Sequence, residues 1–290
     1  MGTKQLCISV EGGGALAIGP LAFMCRLEQD LGKSISEIAS AYSGTSTGAI
    51  VTACLDEGMS AHDIFKLYQD NLKKMFTKYP WYKRLTPTCP TYDNTNLKNI
   101  LQEKLTGKIS RWKKPIYITT TFMNGESVEK VWDLGDKDID KWFAVLTSTA
   151  APTYFDVIEK DGNSYMDGGC WANNPADLVI AGQFKQGNKN LKLLNFNTGM
   201  DLPNTEKGNK TLVGWAEYMI NDWIARSSKS PIYEAKAILG NDYVFDASPK
   251  YGKKIKMDDV SDKTINLVIQ IWEDYYETVK NDILDFIKNR

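Results

Sequence analysis

Histidine is almost missing from this 290-residue chain, which has one, His62. A histidine-rich metal site is thereby excluded, and neither a metal nor a cofactor is called for. His62 falls in Ser60-Ala61-His62-Asp63, a capping box that predicts a first-turn helical residue near solvent rather than a catalytic base. Cysteine is sparse and unpatterned: Cys7, Cys25, Cys54, Cys89 and Cys170 are odd in number and contain no C-x-x-C. Such spacing predicts reduced, buried thiols instead of a disulfide framework or a zinc site. No run of 18 apolar residues exists, so no membrane-spanning helix is expected. Residues 1–10 lack the charged and then apolar order of a secretory leader, and Leu6 stands where a myristoylation signal needs Ser or Thr. The expected address is cytoplasmic, with peripheral reach to a membrane surface. Charge of one sign is lacking too. Lys plus Arg number 35 against 36 Asp plus Glu, for a net charge of -1. That balance disfavours a dedicated nucleic-acid binder, whose affinity rests on clustered cations.

What is present is an ordinary globular composition, 42% apolar and 24% charged. The length sits near the upper limit of a single core, so one domain over 1–290 is expected. Short β-prone runs at 5–10, 38–42, 115–123, near Tyr165 and at 191–197 alternate with helical spacing at 17–30, 49–55, 62–75, 97–105, 138–149 and 175–184. A long helix is expected at the C-terminal end, with Ile265, Val268, Ile269, Trp272, Tyr276, Val279, Ile283 and Phe286 on one side. Strands alternating with helices imply an α/β fold with a largely parallel sheet. The least regular stretches, 78–96 and 200–210, read as long surface loops.

Three segments could carry chemistry. The first, Gly44-Thr45-Ser46-Thr47-Gly48, is a G-x-S-x-G between an apolar strand and a helix. Small flanking residues permit the sharp turn that exposes a nucleophilic hydroxyl, and the helix that follows aims its amides at developing negative charge. A structural tight turn is the competing reading. The second is Glu11-Gly12-Gly13-Gly14-Ala15, directly after the first strand. Successive glycines let amides approach a bound oxygen, which makes an oxyanion hole in an acyl hydrolase. The same residues also fit the permissive dinucleotide pattern Gly12-x-Gly14-x-x-Ala17, with Glu28 or Asp30 as the acidic partner. The third is Asp167-Gly168-Gly169-Cys170-Trp171-Ala172-Asn173-Asn174-Pro175, which taken singly is an Asp-Gly turn. A serine nucleophile normally needs a base. With histidine effectively removed, a carboxylate acting directly on Ser46 is left, and Asp167 is the best candidate.

Taken together, these motifs resemble the patatin-like phospholipases, calcium-independent lipid acyl hydrolases with a Ser-Asp dyad. The resemblance rests on Glu11 to Gly14, on SGTSTGAI at 43–50, on STAAPTYF at 148–155 and on DGGCWANNP at 167–175, in family order across about 5–199. It implies a three-layer α/β/α sandwich with a mostly parallel central sheet, a modified α/β-hydrolase-type fold, with a C-terminal helical part at about 211–290 packed on it. It also implies Ser46 as nucleophile, Asp167 as base, the amides of Gly12, Gly13 and Gly14 as oxyanion hole, and Gly44, Gly48, Gly168 and Gly169 as motif glycines. Two departures stand out: Glu11 replaces the family's usual Asp, and Leu16 and Ala17 replace its usual cation and glycine. The expected substrate is a lipid or phospholipid ester. A soluble carboxylesterase and a non-catalytic lipid- or partner-binding protein are the alternatives.

Residues 71–85 (NLKKMFTKYPWYKRL) carry five cations and no acid, interleaved with aromatics. That mixture suits a lipid headgroup region and marks a possible peripheral membrane contact. The competing expectation is a solvated helix end whose aromatics pack on the core.

Overall fold

The computed structural model describes residues 3–86, 88–198, 211, 214, 215, 218, 229–253 and 255–288. The loop expected over 200–210, Gly199 and most of the stretch from 211 to 228 lie outside the described residues. Among the described residues eight strands form one sheet: β1 (Gln5–Val10), β2 (Ala39–Gly44), β3 (Ile116–Phe122), β4 (Glu129–Trp132), β5 (Ile158–Lys160), β6 (Asn163–Asp167), β7 (Leu191–Phe196) and β8 (Val244–Ala247). Their order is β5-β6-β3-β2-β1-β7-β8, with β4 also pairing β3. The β1–β2, β1–β7, β2–β3 and β7–β8 pairs are parallel, whereas β4, β5 and β6 pair antiparallel at the β3 end.

β1 lies inside the sheet between β2 and β7 and is buried on both faces, as expected of a parallel strand covered by helices on either side. Its alternation assigns the faces. Leu6, Ile8 and Val10 join one core, while Cys7 joins a second core. The first core is built with α1 (Ile18–Leu31), α3 (Thr47–Asp56), α4 (Ala61–Met75), α5 (Thr95–Lys104), α6 (Lys141–Ser148) and α10 (Asp262–Lys288). The short turns of helix at Ile35–Ile38 (α2) and Gly169–Ala172 (α7) lie between strands and longer helices. The second core is built with α8 (Ala176–Lys185) and α9 (Ser230–Leu239). The result is a three-layer α/β/α sandwich. The apolar stripe expected on the last helix is what α10 buries through Ile265, Val268, Trp272, Tyr276 and Ile283. Phe23 of α1 meets Trp272 and Tyr276 edge-on at 6.0 and 4.9 Å, which locks the two helices together.

This topology delivers the three motifs to one place. β1 and β2 run in parallel and end side by side, Val10 opposite Gly44, so the glycine run and the serine turn emerge together. β3 continues past Ile118, the partner of Gly44, and β6 then returns antiparallel along it. β6 stops at Asp167, opposite Thr120, and so brings the aspartate back toward the end of β2.

Several expectations need correction. The helix expected from 138 begins at Lys141, because Asp140 is its N-cap and residues 133–139 form turns. Pro175 precedes α8 instead of opening it. Strands β4, β5 and β8 were not anticipated, being only three or four residues long, and neither was α9. All five cysteines are free, but only Cys7 and Cys54 are buried; Cys170 is exposed. His62, as expected, lies exposed in the first turn of α4, with Ser60 accepting from the Asp63 N–H at 3.1 Å.

Candidate active site

Ser46 connects β2 to α3 and has φ 54° and ψ −125°, a conformation rarely adopted by a residue with a Cβ. Strain of this kind costs on the order of 1–3 kcal/mol and persists only where neighbours hold it. The holders are identifiable. Gly48 lies so close to the Val10 carbonyl that any side chain would collide with it, which lets α3 start directly against the end of β1. Gly44, at the last position of β2, passes within 2.5 Å (for an added Cβ) of Thr52 Oγ1. The Ser46 N–H donates to Ser148 Oγ at 2.8 Å, and Ser148 is completely buried at the end of α6. Thr45 Oγ1 donates to the Ala172 carbonyl at 2.7 Å, so Thr119 Oγ1, also 2.7 Å away, must donate to Thr45.

Asp167 is buried at the end of β6. Its backbone is fixed by an N–H bond to the Ala150 carbonyl at 2.9 Å and by Thr121 Oγ1 donating to its carbonyl at 2.8 Å. Its carboxyl accepts the Gly169 N–H at 2.7 Å and has the Ser46 hydroxyl as a hydrogen-bonding partner. Burial pushes its pKa up to about 7, against the opposing pull of those two bonds. Gly168 passes against Thr119 and leads into the α7 turn. Ser46 and Asp167, distant in sequence, therefore meet on the wall of one cavity.

The glycine run lines the same cavity, but its three amides are not equivalent. The Gly12 N–H donates to the Asn173 carbonyl at 3.1 Å and is thus already engaged. The Gly13 N–H makes only a long bond, 3.3 Å, to Thr47 Oγ1. No acceptor among the described residues engages the Gly14 N–H. Gly14 has φ +59° and lies against the Met257 carbonyl, which also accepts the Ala15 N–H at 2.7 Å, so the loop is held from behind. Glu11 is buried and braces three segments: Oε1 accepts from Asn173 Nδ2 at 2.8 Å and Oε2 from the Thr198 N–H at 3.2 Å. Leu16 and Ala17 are fully buried in the core.

The acidic partners required for dinucleotide binding are engaged elsewhere. Glu28 accepts the Ile35 and Ala61 N–H groups, and Asp30 accepts from Tyr276 Oη and pairs with Lys280. Among the described residues no group of three or more His, Cys, Asp or Glu lies together as a metal site. Away from the polar end the cavity is apolar, walled by Ile50, Leu72, Met75 and Leu97 and by the rings of Tyr68, Phe76, Tyr154 and Phe155. Such a wall suits a hydrocarbon chain.

A profile of the family described as Patatin-like phospholipase matches residues 8–180. The chain belongs to this family. Among patatin-like and related phospholipases, it is 26% identical over 205 residues to "Intracellular phospholipase A2" of Caenorhabditis elegans, which covers 66% of this chain and 18% of that protein. It is likewise 26% identical over 224 residues to "cGAMP-activated phospholipase" of Escherichia coli (strain TW11681), covering 66% of this chain and 61% of that one. The fold resembles that of human GIVD cytosolic phospholipase A2, with a TM-score of 0.55 at 9% identity, covering 98% of this chain and 60% of the other. The chain thus spans less than two thirds of the length of each of these proteins. Within this patatin-like phospholipase fold the sequence motifs surround one cavity. Three contributors escaped sequence reasoning: the Ser148 hydroxyl, the Thr47 hydroxyl and the Met257 carbonyl. Ser148 lies inside a recognised motif that gave no hint of its hydroxyl's role, and a backbone carbonyl leaves no side-chain signal.

Proposed function

We propose that this chain is a serine lipid acyl hydrolase of phospholipase A type, cleaving carboxylic esters of membrane lipids through Ser46 and Asp167. The observation that supports it most is the strained Ser46 hydroxyl paired with a buried carboxyl whose pKa is about 7. Asp167 takes the Ser46 proton as Oγ attacks the ester carbonyl, and the resulting oxyanion faces the amides of Gly13 and Gly14. The carbon–oxygen bond to the alcohol then breaks, Asp167 returns its proton to that alcohol, and an acyl-serine remains. Water attacks the acyl-serine, Asp167 accepts the water's proton, and the fatty acid leaves as Ser46 is reprotonated. A donor in such a hole is worth about 3–4 kcal/mol of barrier, so Gly13 and Gly14 carry a large share of the rate. Residues 1–290 are proposed to act as one catalytic unit in the cytoplasm, reaching the substrate by peripheral contact through the exposed part of 71–85.

A soluble carboxylesterase is the second reading, favoured by one observation: no Lys or Arg lines the cavity among the described residues. Incubating purified protein with phospholipid vesicles and, separately, with short soluble esters distinguishes the two. Release of fatty acid and lysolipid supports the first reading; turnover of soluble esters alone replaces it with the second.

Ser148 is a positioning residue in this scheme. Removing its hydroxyl leaves the Ser46 N–H without its partner in a part-buried site, at a cost of about 1–3 kcal/mol. Ser148→Ala is expected to lower kcat roughly tenfold through a loosened turn, with KM little changed. Ser148→Thr should recover part of the loss. A fall in stability with kcat intact would reduce Ser148 to a structural residue.

A further inference from the structure

Residues 71–85 read as one mixed basic and aromatic stretch in sequence, but the structure divides them. Leu72, Met75 and Phe76 are buried and line the acyl end of the cavity, and Lys73 pairs with Asp262. From Pro80 to Thr86, by contrast, every residue is exposed. Within that run Trp81 is 70%, Tyr82 58% and Leu85 73% accessible, and the Trp81 and Tyr82 rings contact each other at 6.3 Å. Three large, largely apolar side chains exposed so near one another in sequence are unusual for a surface that meets only solvent. Lys78, Lys83 and Arg84 flank them, and no ion pair among the described residues engages these cations.

The projecting segment is not loosely attached. Its two ends are joined by the Lys78–Tyr92 bridge and by the Tyr79 N–H to the Thr91 carbonyl at 3.1 Å. Thr91 and Tyr92 then donate to the Thr153 and Tyr154 carbonyls at 3.0 and 2.7 Å, and Tyr79 Oη donates to Asp156 at 2.7 Å. Tyr154 and Phe155 are cavity wall, and Tyr92 packs on both. The exposed tip is therefore fixed beside the apolar end of the cavity that holds Ser46.

We infer that residues 78–86 form an anchor for an anionic bilayer surface, with Trp81, Tyr82 and Leu85 entering the headgroup boundary and Lys78, Lys83 and Arg84 facing anionic lipid. Amphipathic rings with an aliphatic neighbour match that boundary, and cations around them complement its negative potential. The inference rests on the lipid-hydrolase reading for its purpose, but binding is measurable without turnover.

Flotation of Ser46→Ala protein with phosphatidylcholine vesicles, with or without about one-third phosphatidylserine, separates the terms. Replacing Trp81, Tyr82 and Leu85 together with Ser is expected to reduce partitioning at least roughly tenfold on both vesicle types. Replacing Lys78, Lys83 and Arg84 with Gln should reduce it about fivefold per cation on the anionic vesicles only. Both substitutions, made in otherwise wild-type protein, should leave hydrolysis of a short soluble ester unchanged. Undiminished flotation of the Ser variant overturns the anchor, as does a parallel loss of soluble-ester turnover, which would make the segment part of the cavity. Failure of wild-type-like protein to float, with a dimer in sedimentation that the Ser variant abolishes, would assign the patch to a second copy instead. If flotation succeeds but no ester is hydrolysed, the anchor stands and the hydrolase reading falls.

Discussion

Ser46→Ala is expected to lower ester hydrolysis by at least about 10⁴-fold while leaving the fold intact, since a nucleophile and its base act as a unit. Alanine keeps the Cβ, so the strain at φ 54° is neither relieved nor worsened. The Ser148 bond to the backbone N–H also survives the change. What disappears is the attacking oxygen and the hydrogen bond that holds the Asp167 pKa down. A fluorophosphonate reagent, which labels only an activated serine, should modify wild type and not the variant. The decisive measurement is the turnover of vesicle lipid: rates near wild type in the variant would move the nucleophile elsewhere. Protein that neither turns over lipid nor reacts with the reagent in its wild-type form would point to a non-catalytic binding protein.

Asp167→Asn should abolish activity to a similar degree and, in addition, remove a pH dependence of stability. The carboxyl has an ordinary pKa of 3.8 and rises to about 7 on burial. Its folded value therefore lies above its unfolded value, and the fold favours the protonated form. Below about pH 4 both states are protonated and the residue carries no ionisation penalty. Between about pH 4 and pH 7 the unfolded chain ionises while the folded one holds its proton, so stability falls by about 1.4 kcal/mol per pH unit. Above about pH 7 both are ionised and the accumulated penalty, about 4 kcal/mol, is fully present. Activity has the opposite slope, because only the carboxylate can accept the serine proton: turnover should climb with pH and level off above about 7. Asparagine is nearly isosteric and always neutral. The variant should consequently gain stability over wild type at pH 8 and lose that advantage at pH 4. Denaturant melts of both proteins at the two pH values isolate this one group, and equal differences at both would show that Asp167 does not titrate as described.

The parts legible in sequence were those encoded by a repeated or constrained pattern. Helical spacing placed α1, α4 and α10 within a few residues of their ends. The glycines beside Ser46 and Asp167 were legible because close backbone approach excludes any side chain, as at Gly48 against Val10. The strands β4, β5 and β8 are too short for an alternation to register, and they exist because longer neighbours offer them an open edge. The 71–85 stretch shows the other limit. Nothing in composition separates Phe76 from Trp81, yet one is 9% and the other 70% exposed. That division is decided by where α4 ends and by the tertiary bonds that turn the chain outward. The engagement of the Gly12 amide was hidden for the same reason, since its acceptor belongs to Asn173.

The position of β1 in the sheet limits how the chain can be shortened. The family match ends at residue 180, but β7, β8 and α10 come afterwards. β1 takes β7 as one of its two neighbours, and α1, which follows the glycine run, is roofed by α10 through Phe23 and Trp272. A fragment cut at the end of the matched region would keep Ser46 and Asp167 in sequence. It would also turn an interior strand into a raw margin and strip the cover from the helix beside it. The matched part of the chain is therefore not expected to stand as a detachable module, because the part with no motif of its own supplies a neighbour for β1 and the cover for α1.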